Sequence, residues 1–218
     1  MKKAWIQRRI KFAFQSFPKR LSRLFTYFYH PFYVGDKFRS LPLLLLDCLF
    51  VFDIYEIITN LYKPNVRTLT EREIELGVQI FGQSIDYQLV TMDEKAELVT
   101  RKLGVIYVSF NTINSWGKMR DDILIHELVH VWQYQHFGAG YIANALVAQR
   151  SKEGYNYAYT EGWHEAETLL NFNAEQQGDL VQDYFRLKNG LKADWGKMRE
   201  KDLDKYGKFI REMAAIGS

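Results

Sequence analysis

Residues 121–138 read DDILIHELVHVWQYQHFG. The apolar spacing predicts a helix that begins near Asp121 and ends at Gly138. Ile123, Leu124, Ile125, Leu128, Val129, Val131 and Trp132 make that helix apolar nearly all round, so it is expected to be buried. Inside it stands His126-Glu127-Leu128-Val129-His130. Four positions nearly complete one helical turn, so the two imidazoles point the same way and can bind one metal ion. Glu127 falls about 100° around the axis, beside that face, where it can reach a water rather than the ion. Two histidines and a carboxylate are costly in an apolar helix unless coordinated or hydrogen-bonded. The bland alternative is a pair of hydrogen-bonded core histidines.

A catalytic zinc site needs a third protein ligand and one open position. No histidine follows at the short spacing of the longer H-E-x-x-H-x-x-G-x-x-H motif, and His136 falls on the far side of the helix. A carboxylate must therefore come from a later element, and Glu161, Glu165, Glu167 and Glu175 are the candidates. Glu175 is preferred because Asp179 follows one turn later. One carboxylate can then ligate while the other orients a histidine through its second nitrogen. Glu161 and Glu165 stay open as alternatives.

Three stretches carry a family resemblance: Ile85-Asp86-Tyr87, the helix around His126 to Gln135, and Glu175-Gln-Gln-Gly-Asp-Leu-Val-Gln-Asp-Tyr184. They resemble the zinc-metallopeptidase domains of Vgr-related proteins and of proteins associated with contractile injection systems, over residues 64–187. The resemblance implies a zincin-like fold with His126, His130 and Glu175 as zinc ligands and Glu127 as the general base. It leaves residues 1–60 uncovered. Where such domains have Ala in the second motif this chain has Gly178, expected to weaken the helix locally without removing a ligand.

Outward from the motif, Thr70 and Glu73 form a capping box ahead of Ile74, Val78 and Phe81, a short helix that stops at Gly82. Ile85–Val90 and Val105–Phe110 read as strands of a small sheet, and Tyr62–Arg67 as a linker. Further helices are expected at about 141–150, 160–171, 173–188 and 197–214. The expected class is α+β, predominantly helical, with residues 1–62 an N-terminal extension, 63–190 the zincin-like domain and 191–218 a C-terminal helix packing on it.

The extension is chemically distinct. Residues 1–40 carry ten Lys/Arg against Asp36 alone, a net +9, while the remaining 178 residues carry 19 against 25, a net −6. Ile6, Ile10, Phe14, Phe17, Leu21, Leu24, Phe25 and Phe28 follow helical spacing, with most of the charges elsewhere on the wheel. Pro18 is expected to divide this pattern into helices around 4–16 and 19–28. The aromatic side would attach to an anionic membrane surface through residues 4–28 or pack on the body. No recognised motif accompanies the charge, which disfavours nucleic acid.

Leu43–Phe52 is the most apolar run, but it falls short of the ~20 residues of a membrane span and contains Asp47; it reads as a buried helix or an interfacial segment. With no signal-type apolar stretch either, the expected location is cytoplasmic or peripheral to a membrane. Cys48 is the only cysteine, which excludes an internal disulfide and a cysteine-built zinc site.

The expected function is a zinc-dependent peptidase-like hydrolase acting on a peptide or protein substrate, with Glu127 taking the proton of an activated water. His164, Tyr155, Tyr157, Tyr159 and Tyr184 are candidates to stabilise the oxyanion, although packing is the commoner role. Trp116, Trp132 and Tyr134 read as packing residues. A non-catalytic, metal-stabilised binding or membrane-adaptor module, or an effector delivered by a secretion system, is the alternative.

Overall fold

The amphipathic pattern near the N-terminus forms one helix, α1 (Lys2–Thr26), with Pro18 inside it. The division expected at Pro18 does not occur. A proline there costs the bond to the Phe14 carbonyl, on the order of 3 kcal/mol, and Phe14 lies on the exposed side of the helix. Arg9 and Arg20, on either side of the proline, are both anchored in buried ion pairs that tie the two halves of the helix to Glu56 and Asp53, further along the chain. Two helices follow, α2 (Lys37–Cys48) and α3 (Val51–Tyr62), separated by Leu49 and by Phe50 in the left-handed region at φ 59°. The apolar run 43–52 is thus split across two helices and half exposed, rather than buried in one.

The computed structural model describes residues 2–29, 37–102, 104–151, 154, 157, 165–196 and 198–215. After α3 the chain forms β1 (Val66–Thr68), α4 (Glu71–Phe81), β2 (Thr91–Asp93), β3 (Tyr107–Ser109) and β4 (Thr112–Asn114). The helices α5 (Asp121–Phe137), α6 (Tyr141–Arg150), α7 (Ala174–Lys188) and α8 (Leu203–Ala215) complete it. The class is α+β, mostly helical with one small mixed sheet. Among the described residues, no helix is long and apolar enough to cross a membrane.

Local signals place most of the helices. Thr70 and Glu73 make the reciprocal capping box that starts α4, and Gly82 ends it at φ 55°. Asn173 caps α7 by accepting from the amides of Glu175 and Gln176. The expected helix at 160–171 is absent over its described part, where Leu169–Asn171 form a single 3₁₀ turn closed by Thr168 and Asn171; the rest lies outside the described residues. The last helix starts at Leu203, after a 3₁₀ turn at Glu200–Asp202.

The sheet departs most from expectation. Its order is β1-β2-β4-β3, with β2 and β4 parallel and both outer pairs antiparallel. Residues 85–90 are turns, closed by bonds from Leu89 N to Asp86 O and Val90 N to Tyr87 O. Their apolar side chains enter the core from a loop, and β2 begins at Thr91. The first strand lies in the stretch read as a linker, at Val66–Thr68. These strands have three residues each and bury polar side chains such as Thr91, Asp93, Thr112 and Asn114, so they lack the hydrophobic alternation that marks a strand in sequence. The buried hydroxyls are satisfied from α3: Asn60 donates to Thr91 and Thr112, and Glu56 accepts from Thr112 and from the Asn111 amide.

Helix α5 runs through the centre of the core, packed most extensively against α7 and also against α4 and β3. Leu124, Leu128, Val129, Val131 and Trp132 are all buried there, as the all-round apolar pattern requires.

Candidate metal centre

The one-turn step between His126 and His130 puts both rings on one side of α5, with centroids 5.1 Å apart. Helix α7 brings Glu175 against them. One ligand atom from each of His126, His130 and Glu175 lies within 4.8 Å of the others, and all three residues are buried. Glu175 Oε2 stands 3.7 Å from His126 Nε2 and 3.5 Å from His130 Nε2. Three donors bound to zinc at about 2.0–2.1 Å in tetrahedral array lie roughly 3.3 Å apart, so this two-nitrogen, one-oxygen set fits the ion with only small closure.

The remaining polar atoms fix which ring nitrogen faces the centre. His130 Nδ1 lies 2.9 Å from Gln133 Oε1. Gln133 in turn donates to the Ala174 carbonyl and to Gln177 Oε1, which fixes its amide with the oxygen toward the ring. His130 therefore donates from Nδ1, and Nε2 is left as a lone-pair donor. His126 Nδ1 faces Asp179 Oδ1 at 3.1 Å. That approach lies off the hydrogen-bond direction, since neither Asp179 oxygen has a well-aligned donor, so its effect is chiefly electrostatic. Gln149 on α6 donates to Glu175 Oε1 at 2.9 Å, leaving Oε2 for the centre.

Electrostatics agree with a cation-binding role. Burial opposes charge on His126, but Asp179, Glu175 and Glu127 outweigh it and push its pKa well above the usual value. Burial also opposes charge on Glu175, yet His130 and His126 hold its carboxyl well below the usual carboxylate range. Burial pushes Asp179 up to about 7 and raises Glu127 against the pull of the two histidines. Glu127 Oε2 is buried with no hydrogen-bond partner among the described residues. A buried carboxylate oxygen left in that state is costly unless something else meets it.

The centre opens onto a cleft of about 550 Å³ whose walls include Tyr107 and Val108 of β3, Tyr141 and Leu146 of α6, and Gln149. Gly178 sets how close α7 can come. A Cβ there would lie 2.6 Å from Cε1 and 2.8 Å from Nε2 of His126. Beyond the local weakening of the helix expected from its sequence, the glycine permits the close approach of α7 to α5.

Of the other candidate carboxylates, Glu165 and Glu167 are exposed, whereas Glu161 lies outside the described residues, as do Tyr155, Tyr159 and His164. Tyr157 is buried away from the cleft walls with its hydroxyl donating to Asp183, and Tyr184 packs beside the core. Trp116 stacks under Arg101. His136 points away from the centre, its Nε2 2.7 Å from the Ser84 carbonyl. Sequence reasoning missed Gln133, Gln149, Gln177 and Tyr141. The first could have been found as a polar residue three positions after His130 on an otherwise apolar helix.

Over 136 residues, 56% of this chain, the sequence is 35% identical to the type VI secretion system spike protein VgrG2b of Pseudomonas aeruginosa. The match covers 13% of that protein's length. The chain is thus linked to a Vgr protein over part of its length. No family model matches the chain, and no solved structure matches it.

Proposed function

We propose that this chain is a zinc-dependent, zincin-like hydrolase that cleaves peptide bonds. The observation that carries the reading is the convergence of His126, His130 and Glu175 at the floor of an open cleft, with the unsatisfied oxygen of Glu127 buried beside them. A structural zinc site is closed by four protein ligands, whereas three donors beside a cleft leave room for solvent and substrate. Bound there, a zinc ion supplies Lewis acidity that activates water and polarises a carbonyl.

The chain's own residues do the rest. Glu127, its affinity for a proton raised by burial, accepts one at Oε2 and returns it to the leaving amine. Gln133 holds the His130 ring in register, Asp179 sets its charge against Nδ1 of His126, and Gln149 restricts Glu175 to one free oxygen. Tyr141, whose hydroxyl pKa is raised by burial, stays protonated and can donate a hydrogen bond into the cleft. Strand β3 ends the sheet order and lines the cleft, so an extended peptide can lie alongside it by strand addition. The likeness to a spike protein supports a secretion-system association.

Elemental analysis of the purified full chain should find one zinc per chain. A peptide library should be cleaved by the wild type, and Glu127→Gln should lower the rate by about 10³-fold with zinc retained. A chain that takes up no zinc, or a Glu127→Gln variant that cleaves as fast as wild type, would overturn the reading.

A further inference from the structure

The helices α1 to α3 turn many polar residues inward and many apolar ones outward, although Ala13 of α1 and Leu44 of α2 also enter the core. The buried residues of α3 are Asp53, Glu56 and Asn60, all polar. Its exposed residues are Val51, Ile54, Tyr55, Ile58, Leu61 and Tyr62, all apolar or aromatic. On α1 the inward stripe carries Arg9, Ser16 and Arg20, while Ile10, Phe14, Phe17 and Phe25 face out, Phe14 at 69% exposure. On α2, Ser40 and Asp47 are buried, and Phe38, Leu45, Leu46 and Leu49 are exposed, Leu49 at 67%. The outward faces join at Phe50, whose ring lies 5.6 Å from those of both Phe14 and Phe17.

Charge is sorted in the same way. Every described acid among residues 4–62, namely Asp47, Asp53 and Glu56, is buried and paired with Arg20 or Arg9. Among the described residues of that segment, the exposed charges are positive: Arg8, Lys11, Lys19 and Arg39. At 100° per residue, Arg8, Lys11 and Lys19 follow one another on the flank of α1 next to its apolar stripe.

We propose that this three-helix face is a monotopic membrane-binding surface, its apolar side chains entering the boundary of the acyl chains and its basic flank meeting anionic lipid headgroups. Exposed apolar area of this extent marks an interaction site, and an apolar face bordered by exposed basic residues such as Arg8, Lys11 and Lys19 is the pattern of interfacial helices. A second copy of the chain would bring like charges together, whereas an anionic bilayer complements both the apolar and the basic parts. The surface includes α2 and α3 as well as the segment 4–28 marked by its sequence. The inference does not depend on the hydrolase reading.

The test is co-sedimentation of the full chain with phosphatidylcholine vesicles, with and without phosphatidylglycerol. Binding to the anionic vesicles is expected, weakening as salt is raised. The double substitution Ile54→Asp with Ile58→Asp, both at exposed positions, should lower partitioning at least about tenfold with an unchanged circular dichroism melt. Lys11→Glu with Lys19→Glu should remove the preference for phosphatidylglycerol. The proposal fails if wild type ignores both vesicle types, or if the aspartate variant binds as well as wild type. It also fails if light scattering finds a stable dimer that Ile54→Asp dissociates while vesicle binding is absent, since a second copy would then own the face.

Discussion

The candidate metal centre and the N-terminal helices both bury several ionisable groups, and they settle the cost in opposite ways. Between α1, α2 and α3, carboxylates meet guanidinium groups: Arg20 reaches Asp53 at 2.6 Å and Asp47 at 3.0 Å, and Arg9 pairs with Glu56. Burial lowers the Arg9 pKa to about 10, which leaves it charged at neutral pH. With Arg23 3.9 Å from Asp47, three guanidinium groups face three carboxylates and those charges cancel internally. Between α5 and α7, Glu175 and Asp179 meet imidazoles, which are neutral when ligating, and Glu127 Oε2 meets nothing described. No guanidinium closes that set, whose balance depends on whether protons or a metal ion occupy the imidazoles. A closed ionic interior goes with apolar residues turned to the outside; an open one leaves three donors that could hold a metal ion.

The largest effect should come from opening the closed network. Arg20→Met would strand Asp53 and leave Asp47 with only Arg23 and the Ala139 amide; it is expected to cost about 3–5 kcal/mol by urea denaturation, whereas adding Asp53→Leu should recover most of the loss. An unchanged midpoint for Arg20→Met would break the comparison.

A buried imidazole without a metal role supplies a second test. Burial lowers the His136 pKa to about 4, beneath its bond to the Ser84 carbonyl. A depressed folded pKa means that its contribution is present above the unfolded value of 6.5 and is lost as pH falls through about 4. The stability of wild type minus that of His136→Gln should therefore fall by at most about 3 kcal/mol between pH 7 and 4, measured on metal-free protein. A flat difference would contradict the assignment.

In the open centre, Gln133→Leu removes the acceptor that orients His130 and should weaken zinc binding about 10- to 100-fold in a chelator competition. The smallest effect is expected from Gly178→Ala. Better helix propensity favours alanine by about 1 kcal/mol, but the added Cβ must displace the His126 ring, an overpacking cost of about 1–3 kcal/mol. A net loss of about 1 kcal/mol, with weaker zinc binding, should appear in thermal melts with and without the ion. A stabilised variant with full zinc affinity would show that α7 can shift freely.

Local periodicity in the sequence was enough to determine the helix at 121–137, the shared face of His126 and His130, the place of Glu127 and the capped start of α4, because each depends on neighbours within a turn or so. The pairing of Glu175 with Asp179 was legible for the same reason. Strand β3 was legible within Val105–Phe110, but β1, β2 and β4 were not; the buried Thr side chains of β2 and β4 are satisfied by Glu56 and Asn60, 31 to 56 positions away. Amphipathic spacing along α1 and α3 fixed that each helix has two faces. Which face turns inward depended on whether buried arginines and carboxylates from different helices could neutralise one another, and only the tertiary structure decides that, because it alone brings those charges within reach.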